Sequence, residues 1–138
     1  MEKFNFLVKE DLGVFMEKLN YEQVDERDGE GDTILHKAVE VGTLSYIQAI
    51  LDAGADVNAR NKKGNTGAHL AAMIDAGDIF QLLLDYGSDL CIRNNNQRNP
   101  EDVARINKSK RVEKLLKNYS EDSGYTVKIQ AHKKWEDD

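Results

Sequence analysis

Residues 33–38, Thr33-Ile34-Leu35-His36-Lys37-Ala38, lead through Gly42 and the run Ile47 to Leu51 into Gly54-Ala55-Asp56-Val57-Asn58-Ala59-Arg60. This stretch decides how the rest of the chain is read, because it occurs twice. Gly31, Thr33, His36, Ala38, Leu51, Gly54 and Asp56 return 33 residues later as Gly64, Thr66, His69, Ala71, Leu84, Gly87 and Asp89. A fixed interval of about 33 residues marks a chain of stacked units, each burying its apolar face against the next. The local chemistry agrees. Thr33 suits a helix N-cap, where its hydroxyl satisfies an orphan N–H. Gly42 suits the end of a first helix, where a left-handed residue is needed. Leu44, Ile47, Ile50 and Leu51 form the apolar side of a second helix, and Ile79, Phe80, Leu82, Leu83 and Leu84 do so one unit later.

The pattern closely resembles the ankyrin repeat, with its Thr-Pro-Leu-His opening, turn glycine, paired leucines and Gly-Ala-Asp-Val-Asn close. The resemblance implies an all-α solenoid of stacked antiparallel helix pairs joined by hairpin-like fingers. Residues 1–120 form the repeat domain: a degenerate N-terminal repeat at 1–27, repeats at 28–60 and 61–93, and a C-terminal capping repeat at 94–120. In the first of these, Phe4, Val8, Leu12, Phe15, Met16 and Leu19 make one helical stripe over 4–19. The second repeat departs from the family at Gly67 and Ala68, where Pro and Leu are usual, and Asp75 replaces the turn glycine. These changes are expected to weaken the helices locally. In the third, Asn99-Pro100-Glu101-Asp102 stands for Thr-Pro-Leu-His. Asn99 can cap and Pro100 suits a first helical position, but Asp102 removes the family's threonine–histidine bond. Val112, Leu115 and Leu116 line one side of a helix over 110–117, with bases on the other. The tail 121–138 lies outside the resemblance, and its alternation of Tyr125, Val127 and Ile129 with Thr126, Lys128 and Gln130 is strand-like.

The 138 residues carry a net charge of -6, unevenly spread. Residues 1–32 hold ten acids against four bases, whereas Arg105, Lys108, Lys110, Arg111, Lys114 and Lys117 face only Glu113 over 105–117. The molecule is expected to be acidic at one end and basic towards the other. One cysteine, Cys91, excludes an internal disulfide and fits a reducing compartment. Glu2, Glu10 and Asp11 interrupt the start as no signal peptide would, and no apolar run reaches a membrane span. A cytoplasmic location is the expectation.

No catalytic, cofactor-binding or metal site emerges. His36 and His69 sit one layer apart, about 10 Å, too far to share an ion bound at about 2 Å. His132 is alone in the tail, and Cys91 has no histidine near it in sequence. Gly54 to Gly64 lacks the spacing of a phosphate loop. The chain is therefore read as non-catalytic. The basic segment 105–117 raises nucleic acid as a partner, but no aromatic residue is interleaved and the chain as a whole is acidic. Asp56-Val57-Asn58 also resembles the target of an asparagine hydroxylase that acts on ankyrin repeats in animals.

What the resemblance implies is protein binding, through finger tips and the concave side of each first helix. The positions matching that surface are Glu30, Asp32, Glu40 and Val41 in the first clear repeat. In the next they are Lys62, Lys63, Asn65, Met73 and Ile74, and in the last Asn95, Asn96, Arg98 and Ile106. Met73 and Ile74 are expected at the centre, in an apolar strip with Val41 and Ile106, rimmed by charge. With so few layers, docking on or occluding one protein partner that carries a basic patch is favoured over bridging two, and the chain alone is expected to be monomeric. A bacterial immunity-type inhibitor that covers a basic toxin or enzyme site is a narrower reading.

Overall fold

The computed structural model describes residues 24–122; the helix expected over 4–19 and the strand-like alternation over 125–130 lie outside the described residues. Three polar residues each open a helix: Thr33 opens α1 (Ile34–Val41), Thr66 opens α3 (Gly67–Met73) and Asn99 opens α5 (Pro100–Ile106). Each is followed by a second helix, α2 (Leu44–Asp52), α4 (Gly77–Asp85) or α6 (Lys110–Asp122). No strand is present among the described residues. The fold is an all-α repeat solenoid. α6 runs on to Asp122, past the expected start of the tail.

The caps explain why these short helices form. Thr33 and Thr66 accept the N–H of His36 and His69, and each histidine ring accepts the threonine's own N–H. This reciprocal box satisfies two orphan donors at once. The third helix start keeps the box with other residues. Asp102 N–H donates to Asn99 Oδ1 at 2.8 Å, and Asn99 N–H donates to the Asp102 carboxylate at 3.1 Å. The lost threonine–histidine bond therefore costs the helix no cap.

Gly42, Asp75 and Lys108 occupy equivalent turns, all left-handed, with φ of 84°, 54° and 57°. Asp75 repays its unfavourable angle across the layers: its Oδ1 accepts the Val112 N–H at 3.0 Å. That N–H belongs to the first turn of α6, where no intrahelical partner exists. The residue expected to weaken its own layer thus caps the next one. Beside it, the Ser109 hydroxyl donates to the Ala72 carbonyl.

The layers meet through two rows of helices. α1, α3 and α5 pack in sequence, as do α2, α4 and α6. Ala38, Ala71 and Ala104 recur at the 33-residue interval and are fully buried, which lets the first helices approach closely. Ile47, Ile50, Phe80 and Leu83 fill the space between second helices, and Leu51 and Leu84 are buried as their shared register requires. On α6, Val112 and Leu116 are buried while Lys110, Arg111, Lys114 and Lys117 are exposed. That division suits the last layer of a stack.

Tight polar turns connect one pair to the next. Asp28, Asn61 and Asn94 each fold their side-chain oxygen onto the N–H groups two and four residues ahead. The two asparagines also reach backwards, Asn61 Nδ2 to Asp32 Oδ1 and Asn94 Nδ2 to Asn65 Oδ1, both at 2.9 Å. Arg27 and Arg60 bond forwards to the carbonyls of Arg60 and Arg93. Main-chain bonds join the turns directly, Lys62 N–H to Glu30 O at 3.3 Å and Asn95 N–H to Lys63 O at 3.0 Å.

Candidate protein-binding surface

Of the sequence-derived surface residues, Glu30, Glu40, Lys62, Lys63, Asn95, Asn96 and Arg98 are exposed. Two are not at the surface. Asp32 is 5% exposed, accepting from Asn61 and paired with Lys37 Nζ at 3.3 Å. Asn65 is 4% exposed and accepts from Asn94. Both join consecutive turns, so their polarity serves the stack and cannot meet a partner. Asn95 is committed as well, its Nδ2 donating to Lys62 O at 2.7 Å.

The apolar candidates lie open. Val41, Met73, Ile74 and Ile106 are 41%, 41%, 53% and 49% exposed. Leu44, assigned above to the packed side of its helix, joins them at 42%. It is the first residue of α2, and the equivalent position one layer on is Gly77, which has no side chain to cover it. These five residues sit where first helices end and second helices begin. Gly42, Leu44, Ile74, Ala76, Gly77 and Ile79 line a groove of about 480 Å³ there, together with Asp78 and Arg111. The eight residues of α1 separate this row from the finger turns by about 12 Å. The finger charges Glu30, Lys62, Lys63 and Arg98 therefore form a second, parallel row and do not rim the apolar one; the charges beside the apolar row are Glu40, Asp78, Lys108, Lys110 and Arg111.

Charge changes sign along the stack. Residues 24–56 contain eight acids and two bases, and residues 57–118 seven acids and eleven bases. The fingers repeat the trend, with Asp25, Glu26, Asp28 and Glu30 followed by Lys62 and Lys63 and then Arg98.

The histidines are used structurally. His36 Nε2 meets the Asn65 carbonyl at 2.9 Å, and His69 Nε2 meets the Arg98 carbonyl at 2.9 Å. With Nδ1 accepting from the threonine N–H, the Nε2–H tautomer satisfies both ring nitrogens. Burial lowers both pKa values, the bonds to the carbonyls opposing it. Neither ring has a free lone pair for a metal. Among the described residues no group of three or more His, Cys, Asp or Glu is placed to hold one. Cys91 is exposed and forms no disulfide, and its N–H is bonded to Asp89 Oδ1.

The family model for ankyrin repeats matches residues 35–129, in three copies. This chain belongs to the ankyrin repeat family. Ankyrin repeats are protein–protein interaction modules and the family is typically non-catalytic. No curated protein matches the chain. In this ankyrin stack Asn58 is a joint between layers: its Oδ1 accepts the Asp89 N–H at 2.7 Å, as Asp25 accepts the Asp56 N–H. None of its described helices is long and apolar enough to cross a membrane.

Proposed function

We propose that this ankyrin repeat protein is a non-catalytic docking module that covers one protein partner. The supporting observation is the row of Val41, Leu44, Met73, Ile74 and Ile106, which are exposed while the other large aliphatic side chains among the described residues are buried or half-buried. A solvated row of this kind is costly to leave uncovered, whereas in an interface a few apolar anchors carry most of the energy. Occlusion suits a surface of so few layers better than bridging two large partners. The acidic finger of Asp25, Glu26, Asp28 and Glu30 favours a partner with a basic patch, and gives the inhibitor reading its support: such a finger would meet a basic enzyme or toxin site.

The test is affinity capture from the source cell with the parent and with Ile74→Asp. One protein retained in near-stoichiometric amount by the parent and lost from a folded Ile74→Asp chain is the expected result. Equal retention by both would remove the row from consideration. If the retained protein is an enzyme, adding the pure parent chain should suppress its activity in proportion to occupancy.

A further inference from the structure

The exposed apolar row has a period as well as a composition. Val41 and Ile74 hold one position at the 33-residue interval, and Met73 and Ile106 hold another. Neighbouring packed helices stand about 8–10 Å apart, so the row offers an apolar group roughly every 10 Å. A partner that uses more than one of them must repeat at that distance on a single face. In an α-helix, residues seven apart lie on one face and about 10.5 Å apart. In a β-strand, same-face residues fall at about 6.6 or 13.2 Å, and neither spacing fits.

Charge gives the direction. On the turn side, Glu40 and Asp78 stand on the first two layers, while Lys108, Lys110 and Arg111 stand on the third. A helix carries partial positive charge at its N-terminus and partial negative charge at its C-terminus. Its favourable orientation puts the N-terminus over α1 and the C-terminus over the start of α6.

Resting on the docking function above, we propose that the occupant of this groove is an amphipathic α-helix of the partner. It lies across the layers with its N-terminus toward α1. It carries apolar residues at seven-residue spacing and acidic residues in its C-terminal half. One bulky side chain enters the groove between Leu44, Ile74 and Ile79, whose volume of about 480 Å³ accepts it.

The full chain is used to select from a phage library of helical peptides of about three heptads (roughly 21 residues) with randomised faces. Selected peptides are then titrated by fluorescence anisotropy. The expected enrichment has apolar residues seven apart and acids confined to the C-terminal half. Ile74→Asp should weaken the selected peptide on the order of thirtyfold or more. Lys110→Glu with Arg111→Glu should weaken it about tenfold and abolish the acidic preference on reselection. Both are exposed residues at the start of a helix that tolerates acids. Failure to enrich any helix, enrichment without the seven-residue spacing or the charge bias, or affinities unmoved by these variants would overturn the inference. So would an Ile74→Asp chain that no longer folds, since its side chain would then be covered by the protein itself. A partner captured through Ile74 in the absence of helix enrichment leaves the docking function standing and removes only the helical occupant.

Discussion

Gly64→Ala and Gly42→Ala are one chemical change at nearly one backbone angle, φ of 80° and 84°, yet the structure assigns them different costs. Each places an L-side chain in the left-handed region, at about 1–2 kcal/mol. At Gly42 the added carbon meets nothing within 4 Å. At Gly64 it would stand 2.8 Å from Asn95 N and 2.6 Å from Asn95 Oδ1, so the two fingers must part. Two hydrogen bonds join them there, Asn95 N–H to Lys63 O and Asn95 Nδ2 to Lys62 O. At about 0.5–1.5 kcal/mol each, their loss adds about 1–3 kcal/mol, for a total of about 2–5 kcal/mol at Gly64 against about 1–2 kcal/mol at Gly42. In a domain of this size each kcal/mol moves the midpoint by about 3–6 °C. Thermal and urea unfolding followed by far-UV circular dichroism should rank parent, Gly42→Ala and Gly64→Ala in falling order. Equal midpoints for the two variants would show that the fingers are not in contact and that only backbone strain is being measured.

Leu84→Ala removes a buried side chain from the register shared with Leu51 and should cost about 2–5 kcal/mol in urea unfolding; a parent-like midpoint would contradict that register. Gln97→Gly and Lys108→Gly put glycine where φ is 65° and 57°, and each should stabilise by about 1 kcal/mol, read as a rise in Tm. His36 and His69 have folded pKa values below the ordinary 6.5. Above about 6.5 both states are neutral there and the contribution is complete. As pH falls from 6.5 towards the folded values, the unfolded chain takes up the protons first and stability is lost. Tm measured against pH should decline in that window with a slope of up to two protons, and a flat profile would mean that the rings are not held neutral.

The period made the architecture legible because a stack repeats its solutions: cap, turn and leucine pair return at the same spacing. Substituted positions were harder to read. Asp75 and Asp102 look like losses in a linear sequence, and only the neighbouring layer and helix start show Asp75 capping α6 and Asp102 completing a box. Asp32 and Asn65 resembled free finger-tip residues because polar side chains near a turn are ordinarily solvated. Their burial depends on amides 29 residues away, a separation with no local signature. Helical spacing alone places Leu44 in the packed stripe, although the glycine opposite it leaves it open. The exposure of Val41, Met73, Ile74 and Ile106 was readable since those positions carry apolar residues where the core does not need them. Their distance from the charged fingers follows from helix length and required the assembled layers.

The joints of this stack are directional, and that sets how such a chain can grow. His36 bonds to Asn65 O and His69 to Arg98 O, both 29 residues ahead, while Arg27 and Arg60 reach 33 residues ahead. A second copy of residues 61–93 inserted after residue 93 would therefore keep the histidine and arginine joints on both sides, although Cys91 would stand where Asn58 accepts the Asp89 N–H and that one bond would be lost. Extension after α6 would find fewer, because Asp102 closes its own cap and has no second ring nitrogen to offer a following layer. Lengthening by internal duplication suits the middle of the molecule, and the substitution at residue 102 removes the ring bond on which it relies.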